Sequence, residues 1–182
     1  MPGAIFLEGE RVALHTIEEA DLGFLQRTIN SPAVRSHLTV RTPKNARQEQ
    51  EWYEQVVSSN DSVNLLVCVD GERVGTVSLD PIDHPDGRGE LHVALAEDFW
   101  GEGYGTEAAE LLTTYAFDEL RKHRVVARVF AGNERSKRVF EKLGFRHEAT
   151  FEEAAFRDGD YVDVDLFAVL DREWRIREES SG

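Results

Sequence analysis

Hydrophobic and polar residues alternate along several short stretches, as they do in β-strands with one buried face. The alternation predicts strands at residues 5–16, 63–69, 73–79, 90–95 and 125–130. Two more predicted strands, 151–157 and 161–170, flank Asp158-Gly159, a dipeptide typical of hairpin turns. The hydrophobic pattern therefore predicts a sheet of six to seven strands.

Between these strands the apolar residues recur every three or four positions, which is the period of an α-helix with one buried face. This spacing predicts helices at residues 18–29, 33–38, 45–57, 106–120 and 134–143. Gly144 follows the last of them as a predicted C-cap, and Trp52 and Tyr53 are predicted to pack in the core rather than to contact a substrate. Helices and strands mix along the chain without repeats or linkers, so we expect one α/β domain over residues 1–182 with a mixed sheet.

The composition is strongly acidic. Lysine and arginine together number 21 and aspartate and glutamate 35, which gives a net charge of −14. Such a charge makes nucleic acid an unfavourable partner. An acidic surface that is poor in lysine resembles the surfaces of proteins from high-salt cytoplasm, where counterions screen the self-repulsion.

The sequence contains no run of apolar residues long enough to span a membrane and no secretory signal pattern at its start. We therefore expect a cytoplasmic protein with no membrane partner. The only cysteine, Cys68, has no partner for an internal disulfide and lies in an apolar stretch. It is predicted to be a small core residue rather than a nucleophile.

Residues 80–89 form a polar loop that contains three aspartates and a histidine. Asp80, Asp83, Asp86 and His84 do not follow the ligand spacing of a known metal site. We therefore expect a solvated loop and no bound metal.

Residues 100–108 form a glycine-rich loop between a predicted strand and a predicted helix, Trp100-Gly-Glu-Gly-Tyr-Gly-Thr-Glu-Ala108. The first N–H groups of a helix lack intrahelical partners and lie at the positive end of the helix dipole, so the loop favours an anion such as a phosphate. It lacks the ending of a P-loop and the third glycine of the dinucleotide fingerprint, which disfavours both kinds of nucleotide-binding domain. Taken alone, the glycines could equally make a tight connection.

A second motif follows the loop across a helix and a strand. It comprises Asn133-x-x-Ser136 and Lys142-Leu-Gly-Phe145. In this order the two motifs resemble those of the GNAT acetyltransferases, and within them the RimJ/RimL-like branch, whose loop reads Trp-Gly-x-Gly-Tyr-Ala/Gly-Thr-Glu-Ala. Weaker similarity extends over nearly the whole chain.

The resemblance implies a twisted, mostly antiparallel mixed sheet flanked by helices, in which the fourth and fifth predicted strands (90–95 and 125–130) splay apart. It also implies acetyl-CoA as the co-substrate. The residues that it implies for binding the coenzyme are Val93, Ala94, Leu95, Trp100, Gly101, Glu102, Gly103, Tyr104, Gly105, Thr106, Asn133 and Ser136. Asn133 is also a favourable helix N-cap, and both roles are compatible.

Acetyl transfer needs an acid to protonate the leaving thiolate and a base to deprotonate the amine. Many GNAT proteins carry a tyrosine acid at the position of Phe140, which cannot donate a proton. The resemblance therefore implies Ser136 as the acid. For the base we rank Glu90 first, Glu153 second and His92 third. Some GNAT proteins use a carboxylate at the position that Ala155 matches, and Glu153 is predicted to lie on the same strand face as Ala155. An α-amine with a pKa of about 8 also loses its proton partly unaided.

We therefore expect an acetyl-CoA-dependent N-acetyltransferase that acts on a protein N-terminal α-amine or on a small-molecule amine. The alternative is a non-catalytic acyl-CoA-binding sensor or interaction module on the same fold, because the family's tyrosine is replaced by Phe140. Many GNAT proteins dimerise, so the resemblance allows a homodimer without deciding it.

Overall fold

A computed structural model of the chain describes residues 2–181. Its eight strands form one sheet in the order β1-β2-β3-β4-β5-β6-β8-β7. The strands are β1 (Ile5–Glu8), β2 (Val12–Thr16), β3 (Val63–Val69), β4 (Glu72–Asp80), β5 (Arg88–Leu95), β6 (Arg124–Phe130), β7 (Arg146–Arg157) and β8 (Asp160–Leu170).

The sheet has one strand more than the hydrophobic pattern predicts, because the stretch predicted as one strand over 5–16 forms a hairpin. The amide of Gly9 donates a hydrogen bond to the carbonyl oxygen of Val12 (2.8 Å), and the chain reverses there. β1 and β2 then pair antiparallel, with an irregular register between Ile5 and Leu7.

Six α-helices surround the sheet. They are α1 (Leu22–Asn30), α2 (Pro32–Arg35), α3 (Ala46–Trp52), α4 (Tyr104–Asp118), α5 (Glu134–Lys142) and α6 (Asp171–Ser181). A π-helical turn, Tyr53–Val57, continues α3. The hydrophobic pattern does not predict α6, which places the buried side chain of Trp174 in the core. Among the described residues, no helix combines the length and the apolar character needed to cross a membrane.

Two hydrophobic clusters lie on the sheet. The larger one includes the buried face of α4, and the smaller one packs Leu22 and Leu25 of α1 against Leu66 and Cys68 of β3. α1 and α4 thus each bury an apolar stripe against the sheet. Trp52 and Tyr53 both pack against the smaller cluster, which agrees with their predicted place in the core.

Cys68 is buried, as predicted. Its burial away from water, with a contribution from the charge of Asp21, raises the pKa of the thiol to about 11. A thiol with that pKa carries little of the reactive thiolate at neutral pH.

The feature of the fold that matters most for function is the pairing of β5 with β6. All other neighbouring strands run antiparallel, whereas β5 and β6 run parallel and are paired only from Arg88/Arg124 to Glu90/Val126. Beyond Glu90, β5 stays paired with β4 and β6 stays paired with β8, so the two strands separate. The predicted splay is therefore confirmed.

Candidate active site

A cavity of about 770 Å³, here called the cleft cavity, lies where β5 and β6 separate. One wall is the part of β5 that β6 leaves unpaired, and another is the N-terminal half of α5. Segments after α2 and in β7 close the other sides. Successive N–H groups of an extended strand point to opposite edges, so β5 presents free amides and carbonyls to this space.

The glycine-rich loop lies at the start of α4, next to the cleft cavity. Gly101 and Gly103 have φ angles of +88° and +87°, a region that residues with a Cβ rarely adopt. Gly103 precedes the helix and caps it without any side-chain hydrogen bond. The first intrahelical bond runs from the amide of Glu107 to the carbonyl of Gly103 (3.1 Å), so the amides of residues 104–106 have no intrahelical acceptor.

Arg11 and Glu107 hold this loop in place. The Glu107 carboxylate accepts hydrogen bonds from the backbone amide of Arg11 (2.7 Å) and from its Nε (3.2 Å). Arg11 Nη1 in turn donates to the carbonyl oxygen of Glu102 inside the loop (3.0 Å). Burial of the carboxyl raises the pKa of Glu107, but these hydrogen bonds lower it by more, so the net pKa is below its usual value. A residue of the β1–β2 turn thus fixes the conformation of the loop.

Trp100 connects the loop to two walls of the cleft cavity. Its indole Nε1 donates to the carbonyl oxygen of Leu95, the last residue of β5 (2.9 Å). The guanidinium of Arg135 lies 3.7 Å from the centroid of the Trp100 ring, within the range of a cation–π interaction. The imidazole of His37 contacts the same ring edge-on, at 5.9 Å between centroids.

The N-terminus of α5 supplies the residues of the second motif. The Asn133 side chain accepts a hydrogen bond from the amide of Ser136 (3.2 Å), so its predicted N-cap role is confirmed. Asn133 and Ser136 are half-buried and line the cleft cavity. Phe140 is buried and packs against Phe145 and Phe167, at 5.2 and 6.3 Å between ring centroids. In the described part of the chain, no tyrosine lines the cleft cavity.

Of the basic residues of the second motif, Arg135 alone lines the cleft cavity in the described structure. Lys137 forms ion pairs with Asp165 (2.9 Å) and Glu134 (3.3 Å). Arg138 is exposed and does not line the cavity.

Glu90 and His92 lie on the same face of β5 and both line the cleft cavity, together with Asp80 of β4 and Arg128 of β6. His92 Nε2 lies 3.2 Å from Asp80 Oδ2, and Glu90 Oε2 lies 3.7 Å from Arg128 Nη1. Desolvation lowers the pKa of His92, but the hydrogen bond to Asp80 and the charges of Asp80 and Glu90 raise it by more. The pKa of Asp80 is lowered in return, chiefly by the same hydrogen bond.

Glu153, the second candidate base, has a different position. The register of β7 against β8 is broken between Phe151 and Ala155, and Glu153 has a φ angle of +48°. Its side chain is exposed and does not line the cleft cavity, whereas Ala154 and Ala155 do. The alternation of strand faces that would place Glu153 beside Ala155 fails here because of this irregularity.

The structure brings nine of the predicted site residues together around the cleft cavity: Glu90, His92, Val93, Ala94, Leu95, Trp100, Gly105, Asn133 and Ser136. Gly101, Glu102, Gly103, Tyr104 and Thr106 lie in the adjoining loop and the first turn of α4, outside the cavity wall itself. Sequence analysis missed His37, Arg41, Arg128 and Arg157, which also line the cavity. No motif marks these positions, because they come from three separate segments: the loop after α2, β6 and β7.

Within residues 2–181, no group of three or more histidine, cysteine, aspartate or glutamate side chains is arranged to hold a metal ion. In the loop at 80–89, His84 Nδ1 accepts a hydrogen bond from the amide of Asp86 (3.1 Å).

The known proteins to which this chain is similar are acetyltransferases. A family model described as an acetyltransferase (GNAT) domain matches residues 11–146. YdaF of Bacillus subtilis (strain 168), whose assignment as a ribosomal N-acetyltransferase is itself an inference, is 32% identical over 124 residues, which cover 68% of this chain and 67% of YdaF. The spermidine N(1)-acetyltransferase of Escherichia coli (strain K12) is 23% identical over 171 residues, which cover 94% of this chain and 92% of that enzyme.

Among solved structures, the spermidine N-acetyltransferase from Vibrio cholerae in complex with CoA and spermine superimposes with a TM-score of 0.86. The match covers 92% of this chain and 99% of that chain at 21% sequence identity. At this level of identity, the likeness concerns the fold.

Proposed function

Because this chain belongs to the GNAT family of acetyltransferases, we propose that it transfers an acetyl group from acetyl-CoA to a primary amine in the cleft cavity. The observation that carries the proposal is the separation of β5 from β6 beside the glycine-rich loop. It places an unpaired strand edge, a set of free helix amides and the N-terminus of α5 around one space. We further propose that residues 1–182 act as one domain of the RimJ/RimL-like branch, which the Trp100–Ala108 sequence supports.

The loop is proposed to bind the pyrophosphate of the coenzyme. The free amides at the start of α4 and the positive end of its dipole favour an anion at this position. Glycine at 101 and 103 adopts the positive φ angles of this loop. Because glycine has no Cβ, the backbone can also approach the ligand closely. Asn133 and the residues of β5 from Val93 to Leu95 are proposed to hold the pantetheine arm.

An unpaired amide of β5 is proposed to stabilise the oxyanion that forms on the thioester carbonyl. Such an amide is fixed in position by the β4–β5 pairing, which continues without a register shift from Gly75/Leu95 to Asp80/Glu90. A preorganised donor lowers the barrier because it needs no reorientation as the charge develops.

Glu90 is proposed to accept the proton of the attacking amine, and the Ser136 hydroxyl to protonate the departing thiolate. The amine nitrogen forms the new C–N bond and the C–S bond breaks. Glu90 then releases the proton of the amine to solvent, and solvent returns a proton to the Ser136 oxygen, so both residues regain their starting states. Both side chains line the cleft cavity, Glu90 from β5 and Ser136 from α5. Glu153 stays a candidate only if β7 changes conformation, because its side chain does not line the cleft cavity in the structure.

The acceptor is proposed to be a protein N-terminal α-amine or a small-molecule amine. YdaF and the spermidine acetyltransferases are relatives of both kinds. The carboxylates of Asp80 and Glu90 in the cavity wall favour a substrate that arrives as an ammonium ion.

The test is calorimetric titration of acetyl-CoA and CoA into the wild-type protein and into a Gly101→Glu variant. We expect micromolar binding to the wild type and a loss of at least about tenfold in the variant, because a carboxylate would stand where the phosphates bind. Gly159→Glu is a matched control, since Gly159 has nearly the same φ angle, +87° against +88°, and both positions have open space for a Cβ. It lies in the β7–β8 turn and should bind normally.

Wild-type protein that is folded but binds neither acetyl-CoA nor CoA would contradict the proposal. So would equal losses in the two glycine variants. If binding is confirmed, release of free thiol during incubation with an N-terminal peptide or with a small amine will show which acceptor class is used.

A further inference from the structure

A second cavity, here called the side cavity, has a volume of about 310 Å³ and lies between α1, α3 and the ends of β4 and β5. It adjoins the cleft cavity, because Val34, Leu38 and Ala94 line both. Ala94 belongs to the stretch of β5 that is proposed to hold the thioester end of the coenzyme. A molecule in the side cavity therefore lies next to the site of acetyl transfer.

The side cavity contains an unusual carboxylate. Glu49 is only 5% exposed, yet within residues 2–181 its carboxylate accepts no hydrogen bond and forms no ion pair. A buried carboxylate normally has at least one such partner, because an isolated charge or hydrogen-bonding group away from water costs several kcal/mol. Burial accordingly raises the pKa of the Glu49 carboxyl, and the charge of Lys44 lowers it in part.

Two features keep the charged form of this carboxylate accessible. Glu49 lies in the first turn of α3, where the helix dipole favours a negative charge. Lys44 also lines the side cavity, and its positive charge favours the ionised carboxylate. The two side chains nevertheless form no ion pair within 4.0 Å. A cationic ligand that entered the cavity would therefore meet a carboxylate with free acceptor positions.

The rest of the lining specifies the ligand further. Leu25, Ile29 and the indole of Trp52 give the cavity an apolar wall that suits an alkyl chain, and aromatic rings also attract cations. Thr28 and Thr76 add hydroxyl groups that can accept hydrogen bonds from an ammonium ion. The lining thus combines one buried carboxylate with an apolar surface.

We infer that Glu49 is a specificity-determining residue that binds a second cationic nitrogen of the acceptor, so that the preferred acceptor is an alkyl diamine rather than a monoamine. One amine reaches the thioester in the cleft cavity, the chain passes Ala94, and the second ammonium pairs with Glu49. This inference rests on the proposed function, because it takes the cleft cavity as the place of acetyl transfer. It makes Glu49 a binding residue and gives it no part in the proton transfers.

The experiment measures binding of α,ω-diaminoalkanes of increasing length to the CoA-saturated protein by calorimetry, each compared with the n-alkylamine of the same length. We expect the best diamine to bind at least about tenfold more tightly than its monoamine, and Glu49→Gln to abolish that preference without weakening monoamine binding. Glu51→Gln is the matched control, because Glu51 lies in the same helix, loses the same charge and pairs with Arg47 at the surface.

Equal binding of diamines and monoamines by the wild type would overturn the inference, as would a Glu49→Gln protein that keeps the preference. Thermal melting checks the fold of the variant, and no loss of Tm is expected at neutral pH, because the substitution removes a buried charge without a partner. Glu49→Asp, which keeps the charge on a shorter side chain, should retain part of the preference.

Thiol release with the same amines separates this inference from the proposed function. Diamine binding that depends on Glu49 without any acetyl transfer would contradict the proposed function, and Glu49 would then be a diamine-binding residue with no role in choosing an acetyl acceptor. Acetyl transfer to amines whose binding does not depend on Glu49 would support the proposed function and contradict the inference about Glu49.

Discussion

At the scale of single residues, the chemistry of the cleft cavity depends on how neighbouring side chains control each other's charge. The hydrogen bond between His92 and Asp80 raises the pKa of the imidazole and lowers that of the carboxyl. A raised pKa leaves more of the imidazole protonated at a given pH, and a protonated imidazole accepts no proton. His92 is therefore less suited than Glu90 to act as the base, although both face the same space.

We predict that Glu90→Gln lowers kcat/KM for the amine by about a hundredfold or more below pH 8, where the amine is largely protonated and most needs a base. Glu153→Gln should lower it less than about threefold, since its side chain lies outside the cleft cavity. Steady-state rates of thiol release against pH measure both. A large loss in Glu153→Gln with full activity in Glu90→Gln would assign the base to β7 instead.

At the scale of secondary-structure elements, the site depends on three helix and strand ends that converge. β5 loses its β6 neighbour after Glu90, α4 begins with unpaired amides, and α5 begins with the Asn133 cap. Each of these ends leaves backbone groups unsatisfied by regular structure, and a ligand can use those groups. The regular parts of the same elements carry the core, so the site is held by a rigid scaffold.

We predict that Asn133→Ala destabilises the protein by about 1 kcal/mol and also weakens CoA binding. The stability loss follows from the missing N-cap, and the binding loss from the proposed contact with the pantetheine arm. Asn45→Ala is the matched control, because Asn45 caps α3 through the same kind of bond, from the amide of Gln48 to Asn45 Oδ1 (3.0 Å).

Urea unfolding and calorimetric titration of CoA measure the two effects separately. Asn45→Ala should lose similar stability and bind CoA normally, because Asn45 does not line the cleft cavity. Equal CoA affinity in the two variants would leave Asn133 with a capping role alone.

At the scale of the whole molecule, charge is distributed unevenly. The chain carries a net charge of −14, but four arginines line the cleft cavity against two carboxylates. These arginines are Arg41, Arg128, Arg135 and Arg157. Clustered positive charge in a cleft raises the local concentration of an anionic ligand even when the net charge is negative. The acidic surface and an anionic co-substrate are therefore compatible.

We predict that KCl stabilises the protein, because counterions screen repulsion among the excess carboxylates. Raising KCl from low concentration to the molar range should add at least about 1 kcal/mol, which raises Tm by about 2–4 °C in a chain of this size. Thermal melts over the KCl series measure this, with sucrose of equal osmolarity as the uncharged control. Full stability at low salt would contradict the hypothesis of adaptation to high salt.

The sequence by itself determined the features that arise from local chemistry. Alternation and helical spacing located the strands and most helices, because each element must bury one apolar face. Asn133 could be recognised as a cap and the loop at 100–108 as the start of a helix with free amides, because capping and free helix amides depend on neighbouring residues along the chain.

Only the tertiary structure decided what depends on contacts between distant segments. The φ angle of Glu153 broke the alternation of β7 and removed that side chain from the cleft cavity, which no local pattern indicated. Arg11, just before β2, contacts the loop only in the folded chain. Glu49 is a buried carboxylate without a partner because the fold places α3 beside the side cavity. Packing sets burial and partners, so the groups that face the site could be counted only after the chain had folded.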